Sequence, residues 1–496
     1  MAILVNVVFL IYSLALVIVT VYCLMQVHLL YNYKLFHRRK SASGPTQPVP
    51  ADGMEWPFVT VQLPVFNELY VAERLIDNVM QQDYPKDRFE VQVLDDSTDE
   101  TLRITRQKVE EYRKQGFHIV QIRRKERKGF KAGALKDAMS QAKGDFIAIF
   151  DADFLPRPDF LKKTLAQFHD AKTAVVQTRW EHLNESYSLL TRLQALQLNV
   201  HFRVEQQGRK AGNYLLQFNG TAGVWRRQAI EDAGGWEADT LTEDLDLSIR
   251  AQLRGWKIVY LEEVGSPAEL PAEMNGLKSQ QFRWMKGGAE TARKMLPAVW
   301  KSSLNFGQKL HATLQLVAST VFVFVFLMGV FSVPLLFFLN ELELGWAPLR
   351  WAIVGMLCIL AVYYVANVET PSKEGGYLRH LVKFIILFPL FLSLSMGLSL
   401  HNTVAVVQGW LGRQSAFVRT PKFNIRGLRD SFQLGNYLAS KVTWTTVMEG
   451  LMAAYFLVAA LFGIRTNNYS FLALHGLMAL GFGTIFFYTL KHLKYR

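Results

Sequence analysis

Four acidic clusters and one cationic, aromatic stretch are the residues of this chain most able to do chemistry. They are Asn67-Glu68, Asp95-Asp96, Asp151-Ala152-Asp153, Glu243-Asp244, and Gln280-Gln281-Phe282-Arg283-Trp284. Gathered carboxylates repel one another unless a cation joins them. Hard oxygen donors suit Mg2+ or Mn2+, which take one or two carboxylates together with phosphate oxygens. In extended backbone, residues two apart face the same side, so Asp151 and Asp153 can enter one site. The planar guanidinium of Arg283 fits pyrophosphate oxygens, and the indole of Trp284 is a flat apolar plate with one N–H donor, suited to a pyranose face. Sugar transfer from a nucleotide diphosphate needs cations for the departing diphosphate, a carboxylate that accepts the proton of the attacking hydroxyl, and a surface that holds the acceptor.

Each cluster alone has a plainer reading. Aspartates often end strands and open turns. In "DTLTEDLDLSIRAQLRGW", Thr242 as a cap with Glu243, Asp244 and Asp246 in the first turn is ordinary helix capping. A basic and aromatic pair beside an apolar segment is common at membrane surfaces. It is the three successive acidic strand ends, with the later motifs, that favour a site. No Gly-x-Gly-x-x-Gly or P-loop pattern follows the first strand, which counts against a nicotinamide enzyme or a P-loop ATPase. The phosphates need another holder, and "ERKGFKAGALKDA" offers Lys131 between Gly129 and Gly133.

The elements that must position these groups are legible between residues 57 and 155. "FVTVQLPVFNE", "FEVQVLDDSTDE" and "GDFIAIFDADF" read as apolar strands ending in polar residues, with helical stretches at Val71 to Gln82 and Asp99 to Gln115. Right-handed crossovers put the three strand ends on one edge, where open α/β sheets bind ligands. The expected architecture is an α/β domain, a mostly parallel sheet with helices on both faces, over residues 50–300. It joins an anchor at 1–33 and an α-helical transmembrane region at 301–496.

Half of the 496 residues are hydrophobic, concentrated at the start and after Leu310. Met1 to Tyr33 carries no formal charge and is followed by Lys34, Arg38, Arg39 and Lys40, the pattern of an uncleaved anchor with the next domain in the cytoplasm. Later apolar runs lie near 313–339, 349–368, 382–405, 444–463 and 470–490. The run at 382–405, bordered by Lys383 and interrupted by Pro389 and His401, is expected to lie flat or re-enter, giving five crossings with the acidic "NELELG" outside. The net charge of +13 reads as a cytoplasmic bias of a membrane protein and not as nucleic-acid binding. Two cysteines, Cys23 and Cys358, build no disulfide framework and no cysteine metal site.

The ordered Asp-Asp, Asp-Ala-Asp, Thr-Glu-Asp and Gln-Gln-Phe-Arg-Trp motifs resemble those of processive family-two glycosyltransferases. "VLDDSTD", "KAGALK", "AIFDADF", "FNGTAG" and "AGGW" look most like the cellulose synthase-like mannan and glucan backbone synthases. The resemblance is close over residues 57–295. It implies a GT-A-like domain in which Glu68, Asp95, Asp96 and Lys131 serve the nucleotide, and Asp151 and Asp153 serve the diphosphate and a Mg2+ or Mn2+ ion. Asp244 would be the base beside Glu243, with Arg283 on the diphosphate. Gln280, Trp284 and the segment Phe218, Asn219, Gly220 and Thr221 would line the acceptor end. "FVRTPK", at 417–422 within a loop near 413–425, is similar to the family's gating loop, whose Thr420 and Lys422 would close over bound nucleotide from the cytoplasmic side. Two departures stand out: Phe154 where cellulose synthases tend to carry histidine, and no room after the gating loop for a cyclic-dinucleotide domain.

The implied protein is multi-pass in a plasma (inner) membrane, contacts membrane lipid, and extends a β-linked polysaccharide from UDP-glucose or GDP-mannose, with accessory export subunits as further partners. The same residues would serve a single transfer to a lipid acceptor, and a noncatalytic nucleotide-sugar binder is the third reading.

Overall fold

The structure, a computed structural model, describes residues 2–43, 56–338, 347–370, 376–415, 418–427, 430 and 441–493. "NELELG", Phe417 and most of the basic stretch after Gly427 lie outside these residues.

Helix α1 (Ala2–Ser43) leads to strand β1 (Val59–Val65), whose β-branched residues are buried on both faces, as in a central parallel strand. Then come α2 (Ala72–Val79), β2 (Phe89–Asp95), α3 (Thr101–Lys114), β3 (Ile119–Ile122), α4 (Phe130–Ala138) and β4 (Phe146–Ile149). These are followed by α5 (Phe160–Leu165), β5 (Thr173–His182), α6 (Leu189–Asn199), α7 (Gln206–Ala211) and β6 (Gly223–Arg226). Finally α8 (Arg227–Asp232), α9 (Glu243–Leu253), β7 (Lys257–Ala268) and α10 (Met274–Lys301) complete the domain. The sheet order is β3-β2-β1-β4-β6-β5-β7, and only β6 runs against the rest. The mostly parallel sheet expected from the sequence is present, with its first three read strands adjacent. One apolar cluster covers β1 and β2 with α2 and α5; a second packs α4, α8 and α9 with Trp225 and Trp236. Because β6 is antiparallel, the loop that enters it at Gly220 sits on the same edge as the ends of β1, β2 and β4.

The remaining helices are α11 (Phe306–Leu316), α12 (Val321–Phe338), α13 (Ala347–Tyr364), α14 (Tyr377–Gly397), α15 (Ser399–Trp410), α16 (Trp444–Arg465) and α17 (Leu472–Lys491). Six helical stretches are long and apolar enough to cross a bilayer: Ile3–Arg39, Ala318–Phe338, Trp351–Glu369, Tyr377–Gly397, Trp444–Arg465 and Leu472–Lys491. The chain is a membrane protein. Length and composition thus allow one more span than the five expected, because α14, which overlaps the apolar run at 382–405, is a 21-residue apolar helix; the run breaks at Leu398 before the 12-residue α15.

Charged contacts tie the helices to the α/β domain. Lys383 pairs with Glu185 at 2.6 Å, Gln26 donates to Glu205 at 2.8 Å, and the buried Lys278 and Glu449 meet at 2.8 Å.

Candidate active site

One cleft opens at the carboxyl edge of the sheet. It is lined by Phe66 and Glu68 after β1, Asp96 after β2, Asp151, Asp153 and Phe154 after β4, and Asn219 and Gly220 before β6. Arg127 comes from the loop before α4; from the helices come Lys131, Glu243, Asp244, Gln280, Arg283 and Trp284, and from the segment after α15 come Arg419, Thr420 and Lys422. Acidic groups far apart in the chain therefore share one cavity with Trp284.

Lys131, in the first turn of α4, reaches across the edge. Its Nζ lies 2.5 Å from Asp151 Oδ1 and donates to the Gly220 carbonyl at 2.9 Å. Burial works against its charge, yet Asp151, Glu243 and Asp244 outweigh that and raise its pKa above the usual lysine range. Asp153 is engaged in the same way by Lys422, whose Nζ lies 2.6 Å from Oδ2. Each member of the Asp-Ala-Asp pair thus already holds a cation. Two hard carboxylates facing one cavity are a donor set that fits Mg2+ or Mn2+. Phe154 turns its ring edge-on to Trp180 at 5.2 Å and supplies no ligand atom.

Thr242 precedes α9, but its side chain makes no cap hydrogen bond; its hydroxyl meets Thr291 Oγ1 at 3.0 Å. Burial, then the adjacent Glu243 charge, pushes the Asp244 carboxyl up to about 7, and burial raises Glu243 as well. A carboxyl near 7 suits a general base. Gly220, at φ +79°, packs its backbone against this carboxylate: a Cβ there would meet Asp244 Oδ2 at 2.9 Å. Arg283 is buried, which pulls its pKa down against the pull of Asp151 and Glu243; its Nη2 donates to Thr420 Oγ1 at 2.8 Å. Arg419 binds Glu68 through two hydrogen bonds, at 2.9 and 2.7 Å.

Three expected site residues lie elsewhere. Asp95 is fully buried: it accepts from the Ser97 backbone at 2.9 Å, from Gln121 at 2.8 Å and from the Thr105 hydroxyl, so it builds the strand end and leaves Asp96 to the cleft. Phe218 packs edge-on to Trp225 in the core. The Thr221 hydroxyl accepts from the Asp151 backbone N–H at 2.9 Å and so positions that aspartate without lining the cavity.

Sequence reading missed Arg127, stacked 3.4 Å over Phe66, together with Trp180, His182, Glu269 and Arg419. Alternation in "TAVVQTRWEH" would have marked β5 and with it Trp180 and His182. Arg419 stood inside the gating segment already read. A second acidic group, Glu237, Asp239 and Asp246, lies outside the cleft and surrounds Lys294 at 2.6, 2.9 and 3.0 Å, an ion-pair node filled by the chain itself.

Residues 57–287 match the model of the glycosyltransferase like family 2. Glucomannan 4-β-mannosyltransferase 1 of Oryza sativa subsp. japonica is 36% identical over 407 residues, 78% of this chain and 74% of that relative. Probable glucomannan 4-β-mannosyltransferase 6 of the same plant is 37% identical, over 80% and 69%. Glucomannan 4-β-mannosyltransferase 7 of Arabidopsis thaliana is 35% identical, over 75% and 66%. Among solved structures, the mannosyltransferase PcManGT from Pyrobaculum calidifontis, in complex with GDP-Man and Mn2+, is similar at a TM-score of 0.48 and 19% identity, covering 80% of this chain and all of that one. By these relatives and by its cleft, the chain belongs to the family-two glycosyltransferases, in their cellulose synthase-like group, and is a nucleotide-sugar-dependent glycosyltransferase of membranes.

Proposed function

We propose that this protein extends a β-linked mannan or glucomannan chain by inverting transfer from a nucleotide sugar, GDP-mannose ahead of UDP-glucose, and passes the product between its spans. The observation that carries this reading is the convergence of Asp244, Asp151, Arg283 and Trp284 on one cleft. The choice of mannose rests on the names of the relatives.

Asp244 takes the proton of the acceptor hydroxyl as that oxygen attacks the anomeric carbon of the donor. The new glycosidic bond forms as the bond from that carbon to the phosphate oxygen breaks. The nucleoside diphosphate leaves with the electron pair, beside the charges of Arg283, Lys131 and Lys422. Asp151 and Asp153 would hold a Mg2+ or Mn2+ ion, which when bound offsets the negative charge of that leaving group. Phe66 and Arg127 wall the nucleotide end next to Asp96, and Trp284 with Asn219 faces the sugar acceptor.

The placement of the α/β domain on the cytoplasmic face of a plasma membrane rests on the basic residues that follow the first span, and contacts within the chain favour five crossings. The segment bearing Lys422 reaches Asp153, and the π turn Val365–Glu369 that follows α13 pairs through Glu369 with Lys34 and through Asn367 with Asn199. Both flanks of the α14–α15 pair therefore lie at the domain. At 12 residues, about 18 Å, α15 is too short to recross a hydrocarbon core of ~30 Å, so the pair enters and returns on one side.

Purified protein with Mg2+ or Mn2+, offered GDP-mannose or UDP-glucose in turn, should form polymer from GDP-mannose by sizing and linkage analysis. A single extractable glycolipid would overturn the polymerase reading. Transfer from UDP-glucose alone would overturn the donor assignment.

A further inference from the structure

Behind the acceptor wall of the cleft, the helical stretch that begins at Leu189 changes its winding. Val200–Glu205 form a π-helical turn between α6 and α7, a device that re-aims side chains and often marks functional sites. The turn turns His201 and Glu205 toward each other and toward the cleft. His201 Nδ1 lies 3.0 Å from Glu205 Oε2, and His201 Nε2 lies 3.0 Å from Asn219 Oδ1. Asn219 lines the cavity next to Gly220, whose backbone abuts Asp244.

Glu205 is itself fixed from the membrane side. Gln26 of α1 donates to its Oε1 at 2.8 Å, and both Arg209 η-nitrogens lie 3.4 Å from its Oε2. Burial opposes its charge, but Arg209, His201 and Gln26 outweigh burial and hold the carboxyl down at about 2. The transfer chemistry described above uses none of these groups.

An asparagine amide has a donor end and an acceptor end of nearly the same shape, so it turns over freely unless a partner fixes it. We propose that the His201–Glu205 pair is a positioning device that fixes which end of the Asn219 amide faces the acceptor sugar, and thereby seats the attacking hydroxyl against Asp244. Glu205 accepts at Nδ1 and sets the plane of the ring, as a carboxylate sets a catalytic or metal-bound histidine. Asn219 Oδ1 accepts from Nε2–H, so both ring nitrogens donate, and the Asn219 Nδ2 is left for the ligand. Among the described residues, that nitrogen makes only a long contact, 3.5 Å to the Gln217 carbonyl. Because Gln26 belongs to α1, the orientation of this one amide is set jointly by the α/β domain and the N-terminal membrane helix.

This inference rests on the cleft being a sugar-transfer site, and its test is built to fail separately from that reading. In full-length protein, H201A should lower kcat/KM for an added mannan oligosaccharide by about 3- to 10-fold, the range of one lost hydrogen bond, while the Kd of the nucleotide stays at the wild-type value. H201Q keeps a side-chain N–H and much of the volume, so it should recover part of the loss; it also serves if H201A does not fold. In an N219A background, H201A should add no further loss, since the histidine acts through that amide. Multiplying effects of H201A and N219A, an N219A variant with wild-type kinetics, or H201A and H201Q both at the wild-type rate would overturn the proposal while leaving the transferase reading intact. Absence of transfer by wild-type protein from every nucleotide sugar would instead sink the reading of the cleft, and this proposal with it.

Discussion

Replacing Gly220 by alanine tests the contact on which the base assignment depends. The substitution does two things at once. Gly220 sits at φ +79°, a left-handed conformation that costs an alanine about 1–2 kcal/mol. The added Cβ also arrives 2.9 Å from Asp244 Oδ2, whereas ordinary contact begins near 3.4 Å, so the carboxylate must retreat by about half an ångström. If a misplacement of ~1 Å costs on the order of 100-fold in rate, half of that costs roughly tenfold. Gly235 separates the two effects: it has φ +76° and nothing within 4 Å of its would-be Cβ. Both G220A and G235A should lower the unfolding temperature by similar amounts. Only G220A should lower the initial rate of label transfer from the donor into polymer, about tenfold, with nucleotide Kd unchanged. A G220A enzyme at the wild-type rate, or a G235A enzyme with the same rate loss, would refute the argument that Gly220 spaces the base.

Removing the carboxylate outright, with D244N, should reduce kcat by about 10²- to 10⁴-fold while nucleotide binding by calorimetry persists; transfer at the wild-type rate would remove Asp244 from the mechanism. Because that carboxyl is pushed up to about 7, its proton-accepting form is the minor one at lower pH. The transfer rate should rise with pH, level off above about 7 and fall about tenfold per unit below it, and a profile flat from about pH 5.5 to 8 would contradict the assignment. A chelator should abolish transfer, and Mg2+ or Mn2+ should restore it, whereas D151N/D153N protein should no longer respond to added metal. A chain ended at Lys301 lacks Arg419 and Lys422 and leaves Glu68, Asp153 and Lys278 without their ion-pair partners; it should bind nucleotide more weakly than the full protein in the same calorimetric assay.

The parts of the fold that were legible in the sequence are those in which local pattern and tertiary role agree. β1, β2 and β4 are short apolar runs ending in acids, and their shared edge follows from crossover handedness alone. What was not legible was which of two adjacent residues turns outward. Asp95 and Asp96 are equivalent on paper, but Asp95 closes β2 and its oxygens are taken by Ser97, Thr105 and Gln121, so Asp96 alone reaches the cleft. The same limit applies to "FNGT": strand alternation does not extend through an irregular turn, and only folding reveals that Phe218 goes to the core while Asn219 and Gly220 meet the cavity. His201 had no local signal at all, because a π turn carries no sequence periodicity of its own and its partner Asn219 is 18 residues away.

The cleft also draws on both the α/β domain and the segment that follows helix α15. Its acids, Glu68, Asp96, Asp151, Asp153, Glu243, Asp244 and Glu269, all come from the α/β domain, and so many carboxylates on one sheet edge repel one another. Arg127, Lys131 and Arg283 answer part of that charge from within the domain, but Arg419 and Lys422 arrive from beyond α15, on a segment delivered by the membrane helices. The α10 helix ties the two parts together: Lys278 is bound to Glu449 of α16, Arg283 to Thr420, and Lys286 to Ser415 at 2.7 Å. A displacement of the membrane helices would move the cations that pair with Glu68 and Asp153 and the helix that carries Trp284. On the proposed polymerase reading, that would link chain movement to sugar transfer.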